Sequence, residues 1–188
     1  MLNIGPFINL GWHTVPLKGE LKRLEDGSKT LPKFEKEWRV KYTEKANTIQ
    51  SKLGGAITGE VSGIIAIDCD NDVTYELFKT LDPGYDFVFM SKGKSDKVCG
   101  TFIYKYDSEI EDTFHINNDH LALDVYSNSG FVYLPTLANE TKVPFEGKLP
   151  KLKEMPLAVK VLLTQLKKQP APVAPLSTNT FTAMCLAP

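Results

Sequence analysis

The chain has 188 residues, 42% hydrophobic and 24% charged, with a formal net charge of −1. At about 150 residues per domain this length predicts one domain with a short tail, and the composition excludes long disorder, collagen-like repeats and a disulfide scaffold. The longest apolar run, around residues 63–67, falls far short of the roughly 20 residues that span a bilayer. No basic, then apolar, leader opens the chain, and the three cysteines lack C-x-x-C spacing. A reduced intracellular, cytoplasmic location without membrane contact is the expectation.

In chain order, Gly11-Trp12-His13-Thr14-Val15-Pro16-Leu17 reads as a short strand, followed by a turn-rich polar stretch over 18–33. Thr43 has the chemistry of an N-cap for a helix running to Leu53, stopped by Gly54-Gly55. Residues 55–58 predict a strand and 59–63 a turn. Gly63-Ile64-Ile65-Ala66-Ile67-Asp68-Cys69-Asp70 is the strongest strand signal, apolar on both faces and ending in acids, as a covered central strand should be. Asp72 can cap a helix through Leu81. Further strands are predicted at 86–90, 101–106, 120–126 and 131–134, and Pro156 opens a helix reaching Lys168. Residues 1–168 thus predict one α+β domain, and 169–188 a Pro/Ser/Thr-rich linker or disordered tail.

Charge is segregated. Residues 18–45 hold nine basic and six acidic side chains, 107–124 hold six acids and no Lys or Arg, and 142–168 hold seven lysines against two glutamates. Basic zones around an acidic one suit a protein that handles polyanions near a cation, although each run alone reads equally as a solvated face. Asp68 and Asp70, two apart on a strand, face the same way and form a hard-oxygen pair for Mg²⁺ or Mn²⁺. Asp124, inside the apolar strand 121–126, needs a partner: a cation, a lysine or backbone amides. Three such carboxylates would suit two-metal phosphoryl or nucleotidyl transfer. Ser91-Lys92-Gly93-Lys94 is a cationic segment whose lysines and amides could hold a triphosphate, without P-loop spacing; a solvated hairpin loop is its alternative.

In order, these motifs are Gly-Trp-x-x-x-Pro-Leu, a Lys-x-x-Pro region before Trp38, Thr-Gly-x-x-Ser-Gly-Ile-Ile-Ala-Ile-Asp-x-Asp, a Ser/Lys/Gly loop, Tyr-Lys-Tyr-Asp, and Leu-Asp-Val-Tyr-Ser-Asn-Ser-Gly-Phe-Val-Tyr-Leu-Pro. Over about residues 11–135 this resembles the prim-pol domain of the archaeo-eukaryotic primase superfamily, in the form found in primase–helicases of viruses, phages and plasmids. The resemblance implies an N-terminal α/β module packed on an RRM-like catalytic sheet. It implies DNA replication chemistry: a primase/polymerase that joins NTPs or dNTPs on a single-stranded DNA template with Mg²⁺ or Mn²⁺, beside a helicase domain or subunit. Asp68, Asp70 and Asp124 match the family's metal-binding catalytic acids. Ser91, Lys92, Lys94 and Thr101 fall on its nucleotide-binding motif, and Lys29 and Lys33 on its basic region. Thr101 stands where the family carries a histidine, so triphosphate contact would pass to neighbouring lysines. Of the histidines present, His13 reads as structural, His115 lies in an acidic loop, and His120 points to the face of Asp124 at the strand's far end. Two other readings remain: a nucleic-acid or nucleotide-binding module with little catalysis, and a metal-dependent nuclease or glycosyltransferase using Asp-x-Asp.

Overall fold

A computed structural model describes residues 3–26, 28–92, 98–145 and 148–168. Its elements in chain order are helix α1 (Gly5–Asn9), strand β1 (Thr14–Leu17), helix α2 (Trp38–Glu44), β2 (Leu53–Ile57), β3 (Ile64–Cys69), α3 (Asp72–Leu81), β4 (Val88–Ser91) and β5 (Cys99–Lys105). A 3₁₀ turn (Ser108–Ile110), β6 (Phe114–Asn117), β7 (Ala122–Tyr126), β8 (Phe131–Tyr133) and α4 (Leu157–Lys168) follow. The class is α+β, with two antiparallel sheets in the orders β1-β2-β8 and β4-β5-β3-β7-β6. No helix among the described residues is long and apolar enough to cross a membrane.

The β-branched run Ile64-Ile65-Ala66-Ile67 occupies the middle of the five-stranded sheet and is wholly buried. One face of that sheet is roofed by α3 and α4. Tyr75 and Phe78 of α3 pack on Phe102 in tilted contacts at ring separations of 5.5 and 5.6 Å, while Val159, Leu163 and Leu166 of α4 are buried in the same core. On the other face, Phe7, Trp12, Phe87, Phe89 and Phe145 form an aromatic cluster. The small sheet gives Ala56 and Val132 to this main core; its opposite side packs Val15, Leu17 and Leu53 against Tyr42 of α2.

Two adjacent crossovers join the sheets, β2 to β3 and β7 to β8. The Thr58 hydroxyl donates to the Ser127 carbonyl at 2.6 Å, and the Glu60 amide to Asn128 Oδ1 at 3.1 Å. Gly59 makes this approach possible. Its φ is +95°, and a Cβ there would lie 2.4 Å from Asn128 Oδ1 and 2.7 Å from Asn128 Cα.

Several expected elements shift. The helix predicted over 43–53 is instead α2, ending at Glu44. Beyond it the buried Asn47 side chain accepts from the Ile49 amide and donates to the Ile49 carbonyl and to Thr14. Such local side-chain bonding competes with a helix. The strand predicted from Gly11 begins only at Thr14, after α1. The cap of α3 is Asn71, whose Oδ1 accepts from the Thr74 amide at 2.7 Å, and Asp72 becomes the first-turn acid that suits the helix dipole. Strand β6 lies within the acidic run and has no counterpart in the expectations. The tail at 169–188 lies outside the described residues.

Candidate active site

Register brings the site together. Asp68 on β3 pairs with Thr101 on β5 at one side and with Asp124 on β7 at the other, and Asp124 in turn faces His115 on β6. Directly paired residues of neighbouring strands share a face, so Thr101, Asp68, Asp124 and His115 form one transverse row. Asp70 follows two residues beyond Asp68, held where its amide donates to the Ala122 carbonyl at 2.8 Å. At its Thr101–Asp68 end the row opens into a cleft of about 310 Å³ between the two sheets, which Asp68, Asp70, Ser91, Thr101, Tyr126, Tyr133 and Lys142 line, with Arg23 and Lys29 at its basic side.

Asp68 and Asp124 directly opposite one another are an unfavourable cross-strand pair, and each takes a protein partner. Tyr126 donates its hydroxyl to Asp124 Oδ2 at 2.9 Å, and burial followed by the Asp124 charge pushes the Tyr126 phenol up. Asp68 Oδ1 accepts from the Thr101 hydroxyl at 2.6 Å and from Lys142 Nζ at 3.4 Å. Lys142 Nζ also donates to Thr101 Oγ1 at 2.7 Å and to Ser91 Oγ at 3.0 Å. Asp70 has no such partner among these bonds. Desolvation, and then the charges of Asp68 and Asp124, raise its pKa to about 6, against a smaller opposing pull from Lys29 and Lys142.

Lys142 reaches the site from the loop after β8. The buried Asn139 shapes that loop: its Nδ2 donates to the Leu134 carbonyl at 2.9 Å, and its Oδ1 accepts from the Thr141 hydroxyl at 2.7 Å. Residues 141–143 then lie along the edge of β4, where the Lys92 amide donates to the Thr141 carbonyl and the Val143 amide to the Met90 carbonyl.

Of the residues singled out in the sequence, Asp68, Asp70, Ser91, Thr101 and Lys29 line the cleft, and Asp124 stands beside Asp68 in the row. Thr101 is fully buried, and its one hydroxyl proton goes to Asp68 rather than outward. Lys92 is exposed and contributes a backbone bond, and Lys33 is exposed in a bridge to Lys18; neither lines the cleft. Lys94 lies outside the described residues. His13 has a structural setting, with Nδ1 2.7 Å from the Tyr42 carbonyl. His120 sits in the turn before β7, while His115, expected in a loop, is the histidine facing Asp124. Cys69, between the two acids, is buried toward the opposite layer, and burial raises its thiol far above the ordinary range.

Lys142 and Arg23 carry no local signal. Lys142 is simply the first lysine of a basic run, and its role depends on a loop closing over about 40 residues onto Thr101.

Two carboxylates in one row, Asp68 and Asp124, with Asp70 two residues beyond Asp68, supply the hard oxygen donors that suit a divalent cation in chemistry. Burial first, and then the neighbouring charges of Asp68 and Asp124, make the ionised form of Asp70 unfavourable. Among the described residues, no three His, Cys, Asp or Glu side chains converge closely enough to hold a metal ion as they stand. The chain matches no protein-family model and no curated protein.

Proposed function

We propose that this domain catalyses nucleotidyl transfer of the prim-pol type, joining NTPs or dNTPs on a single-stranded DNA template with Mg²⁺ or Mn²⁺. The observation that carries this reading is the like-charge pair Asp68–Asp124 across two central strands, with Asp70 beside it at the mouth of a cleft. A fold that needed only stability would not set two carboxylates opposite each other. The pair is instead suited to a cation brought with a polyphosphate.

Asp70 and Asp124, and Asp68 where it is free of Lys142, would hold the metal. Once bound, it would neutralise the carboxylates and act as a Lewis acid toward phosphoryl oxygens. The chain's own groups do the rest. Arg23 and Lys29 supply positive charge at the rim for the triphosphate. Tyr126 holds Asp124 in place through its hydroxyl. The half-buried faces of Tyr126, Phe131 and Tyr133 offer flat surfaces for bases. A helicase domain or subunit as partner belongs to the same proposal.

A second reading, a nucleotide- or nucleic-acid-binding module, is favoured by one feature. Thr101 replaces the family's histidine and spends its proton on Asp68. Incorporation of labelled nucleotide on single-stranded DNA with Mg²⁺ or Mn²⁺ separates the two. Product that vanishes in an Asp68→Ala/Asp70→Ala variant establishes the transferase. Absence of product from folded protein, with metal-dependent triphosphate binding retained, leaves the binding module.

A further inference from the structure

Lys142 is the most enclosed charge at the site. It is 8% exposed, and its ammonium sits among three oxygens, Thr101 Oγ1 at 2.7 Å, Ser91 Oγ at 3.0 Å and Asp68 Oδ1 at 3.4 Å. An ammonium has three protons and no lone pair, so these contacts use its whole bonding capacity. The relay is directional: Lys142 donates to Thr101, and Thr101 donates to Asp68. Asp68 Oδ1 therefore receives two hydrogen bonds from one cationic unit, while among the described residues no hydrogen bond or ion pair joins a cation to Asp70, and Asp124 accepts from the Tyr126 phenol.

The geometry points to Lys142 as a tethered cation that holds Asp68, so that one divalent ion binds through Asp70, which lines the cleft, and Asp124, which stands beside Asp68 in the row, rather than two ions through all three aspartates. This deepens the proposed nucleotidyl-transfer reading and rests on it for the presence of a metal. Charge supports it, since one divalent ion and one ammonium balance three carboxylates. A second divalent ion at Asp68 would face the ammonium at close range in a partly desolvated site, where like charges repel strongly. Lys142 is thus a positioning residue, acting through Thr101 and Asp68. The rigid mount supports the same role, because buried Asn139 fixes the loop and residues 141–143 are bonded to the β4 edge.

The test is metal stoichiometry on the full chain: titration with Mn²⁺ alone, following free Mn²⁺ by electron paramagnetic resonance, then repeated with a non-hydrolysable nucleoside triphosphate. The wild type is expected to take up one ion. Asp68→Asn still takes up one, Asp70→Asn loses it, and Lys142→Met, which frees Asp68, takes up two. Should Lys142→Met fail to fold, the charge-balanced Asp68→Asn/Lys142→Met protein replaces it and is expected to bind one. Two ions on the wild type, falling to one in Asp68→Asn, would overturn the inference while leaving nucleotidyl transfer standing. So would a Lys142→Met protein that keeps one ion and instead loses triphosphate affinity, for Lys142 would then be a phosphate ligand. A wild type that binds no Mn²⁺ with or without triphosphate, and is indistinguishable from Asp70→Asn, would remove both this inference and the proposed function.

Discussion

The two faces of strands β3 and β5 are built from alternate residues of the same few segments, yet they serve opposite ends. On the helix-covered face, Ile65, Ile67, Cys69, Phe102 and Tyr104 are at most 1% exposed and pack against α3 and α4. On the other face, the same strands carry Asp68 and Thr101, beside Asp70 and next to Asp124 of β7. One face gains free energy from burial. The other spends some of it on like charges held close. The contrast shows how a two-residue period lets a rigid core and a charged site share one frame, so that the site is held by strands rather than by a mobile loop.

Three substitutions break or sharpen this contrast. The largest effect belongs to the core face. Phe102→Ala removes a ring that contacts Tyr75, Phe78 and Tyr104, and should cost about 3–5 kcal/mol in denaturant unfolding. A cost under about 1 kcal/mol would mean that this face is not the main support of the sheet.

On the site face, Thr101→Val keeps the shape but deletes the hydroxyl between Lys142 and Asp68. It should cost about 1–3 kcal/mol, because a buried donor and acceptor lose their shared partner. An unchanged stability would show that the ammonium and the carboxylate do not depend on the relay.

The smallest effect has the opposite sign. Asp70 has a folded-state pKa near 6, above the roughly 3.9 of an unfolded aspartate, so its charged form is disfavoured by folding. That penalty is present above pH 6 and disappears as pH falls through 6 toward 4. Without divalent metal, Asp70→Asn should therefore be more stable than wild type at pH 8, by about 1 kcal/mol once solvent screening is allowed for. The advantage should be gone near pH 4. Thermal unfolding at both pH values checks it, and an Asn variant less stable at pH 8 would show that the aspartate cluster is not under electrostatic strain.

Local signals carried a good part of the fold. The β-branched run at 64–67 with acids behind it gave a central strand, and the periodic apolar positions after Pro156 gave α4. They failed where a local rule met a stronger tertiary one. Thr43 has cap chemistry, but Asn47 is buried and bonds Thr14 across the fold, which ends the helix before it. Strand β6 was hidden because its partly buried residues, Phe114 and Ile116, lie in an acid-rich stretch, and it exists by pairing with β7.

The amino-acid order by itself determined that Asp68 and Asp70 share a face, because side chains alternate along any strand, and that Asp124 would be a charge in an apolar strand needing a partner. Only the tertiary structure decided which partners these would be. That Asp124 stands opposite Asp68, that His115 stands opposite Asp124, and that Lys142 closes onto Thr101 are consequences of strand order and loop closure. The free energy of such long-range pairing depends on which strands become neighbours, and no residue's own vicinity in the chain records that.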